Sequence, residues 1–229
     1  MFLLRSLLFG VVFYIGSVPY VVGAFIGTYT SVSLLRSSVR GWAVFHQAAM
    51  RWILGIRFQV DGHLPPGPAI YAIKHQSFME TIDMPRLFNL PAVVFKAELF
   101  KIPCWGTAAQ AYGMIPVDRN GGAAALRAML VQARAIQEAG RPIIIFPEGT
   151  RVPHGEQAPL QSGFAGLYKL LRLPVVPIAV NSGKLTPKGK PYWRSGLMTY
   201  KVGETIPPGL PREEVEAKVL AAINALNEC

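Results

Sequence analysis

Apolar and polar positions alternate in blocks along this chain, and the blocks predict strands separated by helices. Short apolar runs bounded by polar, Gly or Pro residues are typical of buried strands. Such runs predict strands at residues 57–61, 69–73, 92–95, 114–117, 142–146, 175–180 and 197–202. Apolar positions at helical spacing predict helices over residues 41–54 and 123–138, and Pro211 opens a last helix. Strands that alternate with helices predict an α/β domain with a mostly buried central sheet flanked by helices.

The N-terminal part of the chain has a different pattern. Between Arg5 and Arg36 lie 30 uncharged, mostly apolar residues, more than the roughly 20 that cross a bilayer as a helix. The stretch is too long for the core of a signal peptide, and no small-residue cleavage site ends it. Because Gly and Pro interrupt the stretch, it has two possible interpretations. It could be one tilted span, or two short helices that enter one leaflet and return. A buried hairpin of a soluble protein is the less favoured alternative. We therefore predict a membrane anchor over residues 1–36 and one catalytic domain over residues 37–229.

The amount and distribution of charge limit the kinds of partner that the protein can bind. The net charge is +10, and it is unevenly placed: residues 1–60 contain five arginines and no acid, and residues 157–203 contain seven lysines and arginines and no acid. Such stretches suit an anionic partner, either a membrane surface or a phosphorylated substrate. No nucleic-acid-binding motif accompanies the charge, so no nucleic-acid partner is expected.

The cysteines and the first arginines predict the location. Cys104 and Cys229 form neither a disulfide framework nor a CxxC pair, which indicates reduced thiols and a cytoplasmic domain. The arginines that follow the apolar segment also favour the cytoplasmic side. We expect the protein at the inner (cytoplasmic) membrane, with its catalytic domain facing the cytoplasm.

The stretch "KHQSFMETID" contains a candidate catalytic base. His75 stands where an apolar strand gives way to a polar turn, which is where sites of α/β sheets are built. A histidine alone there is more often structural, but a base needs an acceptor for its second ring nitrogen. Glu80 is the predicted acceptor if a turn precedes the following helix. Asp83 is held in reserve and is expected to be a solvated or structural acid.

Further candidates follow other predicted strands. The loop in "IIIFPEGTR" contains a carboxylate, a glycine that permits close backbone approach, and an arginine with a bidentate fork for phosphate. Two more cations end two other strands and could join that arginine around one phosphate, although each alone reads as an ordinary surface charge. These candidates are Glu148, Gly149, Thr150, Arg151, Lys96 and Arg119.

Together these residues resemble the glycerolipid acyltransferase family, which includes 1-acylglycerol-3-phosphate acyltransferase. The family's motifs occur in order over roughly residues 40–205. They are a His-x4-acid motif ending at Glu80, a Lys-x-Glu-Leu block running to Arg119, Phe-Pro-Glu-Gly-Thr-Arg at residues 146–151, and a Pro-containing strand at residues 175–180. One departure is that Glu80 stands where the family usually has aspartate, which keeps the charge and adds one methylene.

The resemblance implies transfer of a fatty acyl group from acyl-CoA or acyl carrier protein to the 2-hydroxyl of lysophosphatidic acid. His75 would take the hydroxyl proton and Glu80 would orient His75. Lys96, Arg119 and Arg151 would hold the phosphate, with Glu148 against the glycerol backbone beside Gly149 and Thr150. No metal or other cofactor is implied, since the four histidines form no ligand-spaced pair.

Three alternatives stay open. The acceptor could be a related one: glycerol 3-phosphate, a lyso-ornithine lipid or a lysophospholipid. The protein could instead be a thioester hydrolase, or a lipid-binding protein without activity.

Overall fold

The computed structural model describes residues 1–65, 67–118 and 121–227. The helices are α1 (Phe2–Thr30), α2 (Val32–Ala49), α3 (Met79–Leu87), α4 (Trp105–Tyr112), α5 (Gly122–Glu138), α6 (Ser162–Leu171), α7 (Ser182–Leu185) and α8 (Arg212–Ile223). The strands are β1 (Ile56–Asp61), β2 (Ile70–Ile73), β3 (Ala92–Lys96), β4 (Ile115–Val117), β5 (Ile143–Ile145), β6 (Val175–Val180) and β7 (Gly196–Val202). All the predicted strands are present, and no end is displaced by more than about one residue, within the usual uncertainty of element boundaries.

The strands form a seven-stranded, mostly parallel sheet in the order β1-β7-β6-β2-β5-β3-β4. Strands β6, β2, β5, β3 and β4 run in one direction, and β7 joins antiparallel to β6 and parallel to β1. The predicted α/β class is therefore confirmed. Because parallel strands end at the same edge, the loops after β2, β3 and β5 meet there.

Helices cover both faces of the sheet, and alternation along β2 shows how. Ile70 and Ala72 belong to the core layer that contains residues of α5, α6 and α8. Tyr71 and Ile73 belong to the opposite layer, with residues of α1 to α4. Successive strand side chains point to opposite faces, so a sheet buried on both sides requires the unbroken apolar runs seen in the sequence.

The N-terminal segment is one continuous helix followed by a second that packs against it. Pro19 lies inside α1, and Ser31 caps α2 by accepting a hydrogen bond from the Leu34 amide at 3.4 Å. The helix predicted from residue 41 begins at Val32 and ends in a π-helical turn, Met50–Leu54. Its first turns are rich in Ser and Arg, which hid the helical spacing of the apolar positions. Because it begins at Val32, α2 crosses the predicted boundary between the anchor and the domain at residues 36 and 37.

One face of α1 packs on the domain and the other is exposed. Phe9 is fully buried, with its ring centroid 4.9 Å from that of Trp193, and Arg5 Nε donates to the Ile53 carbonyl at 2.5 Å. Only 17% of the most apolar 18-residue window of α1 is buried, and its mean hydropathy is 1.9. Among the described residues, α1 is the one helix long and apolar enough to cross a membrane. So large an exposed apolar face indicates membrane association.

Candidate active site

Most of the predicted site residues meet around one cavity at the carboxyl edge of the sheet. The cavity has a volume of about 1240 Å³. His75 follows β2, Lys96 ends β3, and the loop with Gly149, Thr150 and Arg151 follows β5; all five line the cavity. The rest of its wall includes apolar and aromatic side chains of α1, α2 and α4, among them Tyr20, Val21, Val39, Trp42, Trp105 and Tyr112. Such a wall suits a large apolar ligand.

The structure brings His75 and Glu80 together. His75 Nδ1 lies 3.1 Å from Glu80 Oε1, and the same oxygen accepts from the Gln76 and Ser77 amides, each at 2.6 Å. Residues 76–78 turn before α3 begins, and this turn closes the five-residue offset. The Glu80 side chain is fully buried, whereas that of His75 is 16% exposed. A carboxylate fixed by two amides holds the ring at Nδ1, so any proton transfer would fall to Nε2.

Asp83 belongs to a separate interaction. It is 1% exposed, and both of its oxygens accept from Arg86, at 2.6 Å from Nε and 2.8 Å from Nη2. Of the two roles expected for this acid, the buried bidentate pair within α3 fits the structural one and not the solvated one.

Glu148 differs from its expected place against a substrate. It is 1% exposed, and its Oε1 lies 2.6 Å from Lys74 Nζ, while the cavity wall beyond it is formed by residues 149–151. Gly149 explains the difference. Its φ of +67° lies in the left-handed region that favours glycine, and its amide donates to the Phe146 carbonyl at 2.9 Å. The tight turn sends Glu148 inward and leaves Thr150 and Arg151 at the cavity.

Two of the three predicted phosphate-binding cations, Lys96 and Arg151, lie at the cavity. Arg151 is exposed at the cavity, and its carbonyl accepts from Lys188 Nζ at 3.1 Å. Lys96 is half-exposed and lies 3.2 Å from Glu98 Oε1, so part of its charge is already balanced. Arg119 lies outside the described residues.

Sequence reasoning missed the residues behind the site. Lys74 is fully buried although it is a lysine directly before the candidate base, and its position after a wholly apolar strand was a usable signal. Buried Gln76 accepts from the Gly183 amide at 2.8 Å and contacts His154 Nδ1 at 3.2 Å. Across residues 1–65, 67–118 and 121–227, His, Cys, Asp and Glu side chains form no group of three that could hold a metal ion.

The chain is an α/β enzyme-like domain with a histidine–carboxylate pair beside a large apolar cavity, and comparison with known proteins identifies its family. An acyltransferase family profile matches residues 55–181, more than half of the chain. The protein therefore belongs to the acyltransferase family.

Its relatives share a narrower description. The chain is 32% identical over 191 residues to the 1-acyl-sn-glycerol-3-phosphate acyltransferase of Pseudomonas aeruginosa, covering 82% of this chain and 73% of that protein. It is 29% identical over 174 residues to the human 1-acyl-sn-glycerol-3-phosphate acyltransferase alpha, covering 73% and 62% of the two chains. For the enzyme of the same description from Limnanthes douglasii the match covers 66% of this chain and 52% of the relative.

A solved structure shares the fold over the whole length. The crystal structure of the 1-acyl-sn-glycerophosphate acyltransferase PlsC from Thermotoga maritima superposes with a TM-score of 0.77 at 22% identity, covering 100% of this chain and 97% of that one. The similarity therefore includes the α1–α2 hairpin as well as the sheet.

Proposed function

We propose that the protein transfers a fatty acyl group from acyl-CoA or acyl carrier protein to the 2-hydroxyl of 1-acylglycerol 3-phosphate, which forms phosphatidic acid for phospholipid synthesis. Two of its relatives are described as 1-acyl-sn-glycerol-3-phosphate acyltransferases, which supports the proposal. The observation that supports it most directly is the 3.1 Å contact between His75 and Glu80 at the wall of a cavity of about 1240 Å³.

In this proposal His75 acts as the general base. Its Nε2 takes the proton of the acceptor hydroxyl while that oxygen attacks the thioester carbonyl. Glu80 keeps Nδ1 protonated and stabilises the imidazolium that forms. A C–O bond forms, the C–S bond breaks, and the proton on His75 passes to the leaving thiolate. No acyl-enzyme is needed, because a thiolate is a good leaving group and positioning supplies much of the acceleration.

The acceptor's phosphate is assigned to Arg151, with Lys96 and Arg119 as further cations. Guanidinium suits a phosphate because its donors match two oxygens at once. Gly149 and Thr150 belong to the same loop and line the cavity, so they are assigned to the acceptor as well. Glu148 is withdrawn from this set because it is buried in its pair with Lys74.

The apolar face of α1 is assigned to the membrane. Both substrates carry fatty acyl chains, and the cavity is bounded partly by residues of α1 and α2. An acceptor could therefore enter from the lipid phase beside these helices. We further propose that the catalytic domain lies at the anionic cytoplasmic surface of the inner membrane, a location that the exposed residues Arg36 and Arg40, which follow α1, support.

The test is acyl transfer by the purified protein in detergent. Acyl-CoA and acyl carrier protein would each be offered with lysophosphatidic acid, glycerol 3-phosphate, a lysophospholipid and a lyso-ornithine lipid, and thiol release would be compared with lipid product. Lysophosphatidic acid should be the preferred acceptor, and His75→Ala should abolish transfer while the circular dichroism spectrum is kept. Thiol release without any acceptor would identify a hydrolase instead, and wild-type rates in His75→Ala would refute the role of the base.

A further inference from the structure

A buried lysine lies directly behind the candidate base. Lys74 is fully buried, and its ammonium donates to three acceptors: Glu148 Oε1 at 2.6 Å, Asn224 Oδ1 at 2.7 Å and the Glu156 carbonyl at 3.0 Å. An ammonium has three donors, so all of its hydrogen-bonding capacity is used. Burying such a charge is costly unless it is paired and hydrogen-bonded, and here both conditions are met.

Lys74 and His75 point to opposite sides of the sheet. The Lys74 amide donates to the Ile178 carbonyl at 2.9 Å, which continues the ladder of β2 past Ile73. Alternation along a strand then sends Lys74 toward α8, and its bond to Asn224 agrees with this. His75 faces the cavity. Lys74 therefore has no place in the chemistry itself, and its influence must pass through its partners.

One of those partners, Glu148, also bonds the main chain of His75. Glu148 uses Oε1 for Lys74 and Oε2 to accept from the His75 amide at 3.3 Å. The Val152 amide donates to the His75 carbonyl at 2.8 Å. Both main-chain polar groups of His75 are thus bound by residues 148–152, the same loop that carries Arg151 to the cavity.

The chain's C-terminal turn closes the network. The side-chain amide of Asn227 donates to Asn224 Oδ1 at 2.8 Å and to the Glu156 carbonyl at 3.0 Å. The two acceptors of Lys74 other than Glu148 are therefore connected through Asn227. The ammonium is bound by oxygens from two distant parts of the sequence, the loop between β5 and α6 and the turn after α8.

We propose that Lys74 is a positioning residue, which holds Glu148 as a strut between the His75 main chain and the loop carrying Arg151. The inference rests on the proposed function and gives Glu148 a role other than substrate binding. One buried charge pair would then set the distance between the base and the phosphate-binding arginine. A substrate that spans both needs that distance fixed, since small misplacements of catalytic groups slow a reaction severely.

The test compares single and double variants of the full-length protein. Lys74→Met leaves the Glu148 carboxylate buried without its cation, and kcat/KM for lysophosphatidic acid should fall on the order of 100-fold. Lys74→Met/Glu148→Gln removes that orphaned charge and still offers an oxygen to the His75 amide, so at least about a tenfold recovery over Lys74→Met is expected. The matched control is Lys218→Met on α8, whose exposed pair with Glu214 has an N–O distance of 3.0 Å, and it should equal wild type.

The split between kcat and KM separates positioning from folding. A variant that is only less stable contains less active enzyme and keeps the wild-type KM, whereas displacement of the loop raises KM for the acceptor as well as lowering kcat. Wild-type kcat and KM in Lys74→Met, a drop in kcat alone, or a double variant no more active than Lys74→Met would each overturn the proposal.

Two further measurements keep the inference independent of folding and of the substrate. If Lys74→Met does not fold, Asn224→Ala removes one acceptor of three and should raise the acceptor KM a few-fold; an unchanged KM would contradict the network. Hydrogen exchange of the His75 and Val152 amides should be faster in Asn224→Ala than in wild type and unchanged in Lys218→Met. That result would stand even if the wild-type protein did not acylate lysophosphatidic acid, in which case only the proposed function would fail.

Discussion

Replacing Glu80 by glutamine removes a negative charge from the candidate site with little change of shape. The amide oxygen can keep the positions that now accept from the Gln76 and Ser77 amides at 2.6 Å. The bond to His75 Nδ1 at 3.1 Å can also remain. What the variant cannot do is stabilise an imidazolium, and its amide group can turn to favour the wrong tautomer.

The expected magnitude follows from that distance. A unit charge 3.1 Å from a second one interacts by about 5 kcal/mol at an effective dielectric constant of about 20, which is an upper limit for a ring near solvent. Loss of charge assistance from the hydrogen bond alone gives a lower limit of about 1–2 kcal/mol. We therefore expect turnover to fall by roughly 10- to 1000-fold.

Initial rates at saturating thioester and lysophosphatidic acid measure this loss directly. Three variants belong in one series: Glu80→Gln, Glu80→Asp and Asp83→Asn, with circular dichroism and thermal unfolding as folding controls. Glu80→Asp should be milder than Glu80→Gln, because the charge is kept although the shorter side chain must reach the same three donors. Asp83→Asn weakens the bidentate pair with Arg86, so it should lower the unfolding temperature and leave turnover almost unchanged.

The outcome that contradicts this reasoning is specific. An active Glu80→Gln beside a folded but inactive Asp83→Asn would make Asp83 the partner that matters. The hydrogen bond at 3.1 Å would then be incidental to turnover.

Three further predictions concern other parts of the molecule. Arg151→Ala should raise the acceptor KM about 10- to 100-fold and leave the thioester KM nearly unchanged, with exposed Arg134→Ala as control; an effect confined to the thioester would move this cation to the donor. Phe9→Ala should lower the free energy of unfolding by about 3–5 kcal/mol, measured in detergent, because Phe9 is fully buried against the domain; a neutral result would show α1 to be a detachable anchor. Burial lowers the pKa of His46 to about 3. Between about pH 6.5 and this value only the unfolded state binds the proton, so the free energy of unfolding decreases as the pH is lowered. His46→Phe should remove that loss, which is about 2 kcal/mol near pH 5. If the free energy of unfolding changed with pH in the same way in both proteins, the prediction would be refuted.

The strands and their order along the chain were readable from the sequence for a simple reason. A parallel sheet covered on both faces needs apolar residues at every position, and such runs stand out between polar loops. His75 and the loop "FPEGTR" were also readable, because polar residues at the ends of buried strands belong to loops where sites are built.

Tertiary structure decided which of those polar residues face the cavity. Glu148 and Arg151 are three positions apart in one loop, but the left-handed turn at Gly149 sends one inward and leaves the other at the surface. No local pattern reveals that Lys74 meets Asn224, since the two side chains lie 150 positions apart in the chain. The sequence by itself determined the class of fold and the chemical groups of the site. Their separation and orientation depended on long-range packing, because a buried charge is stable only where distant parts of the chain bring it a partner.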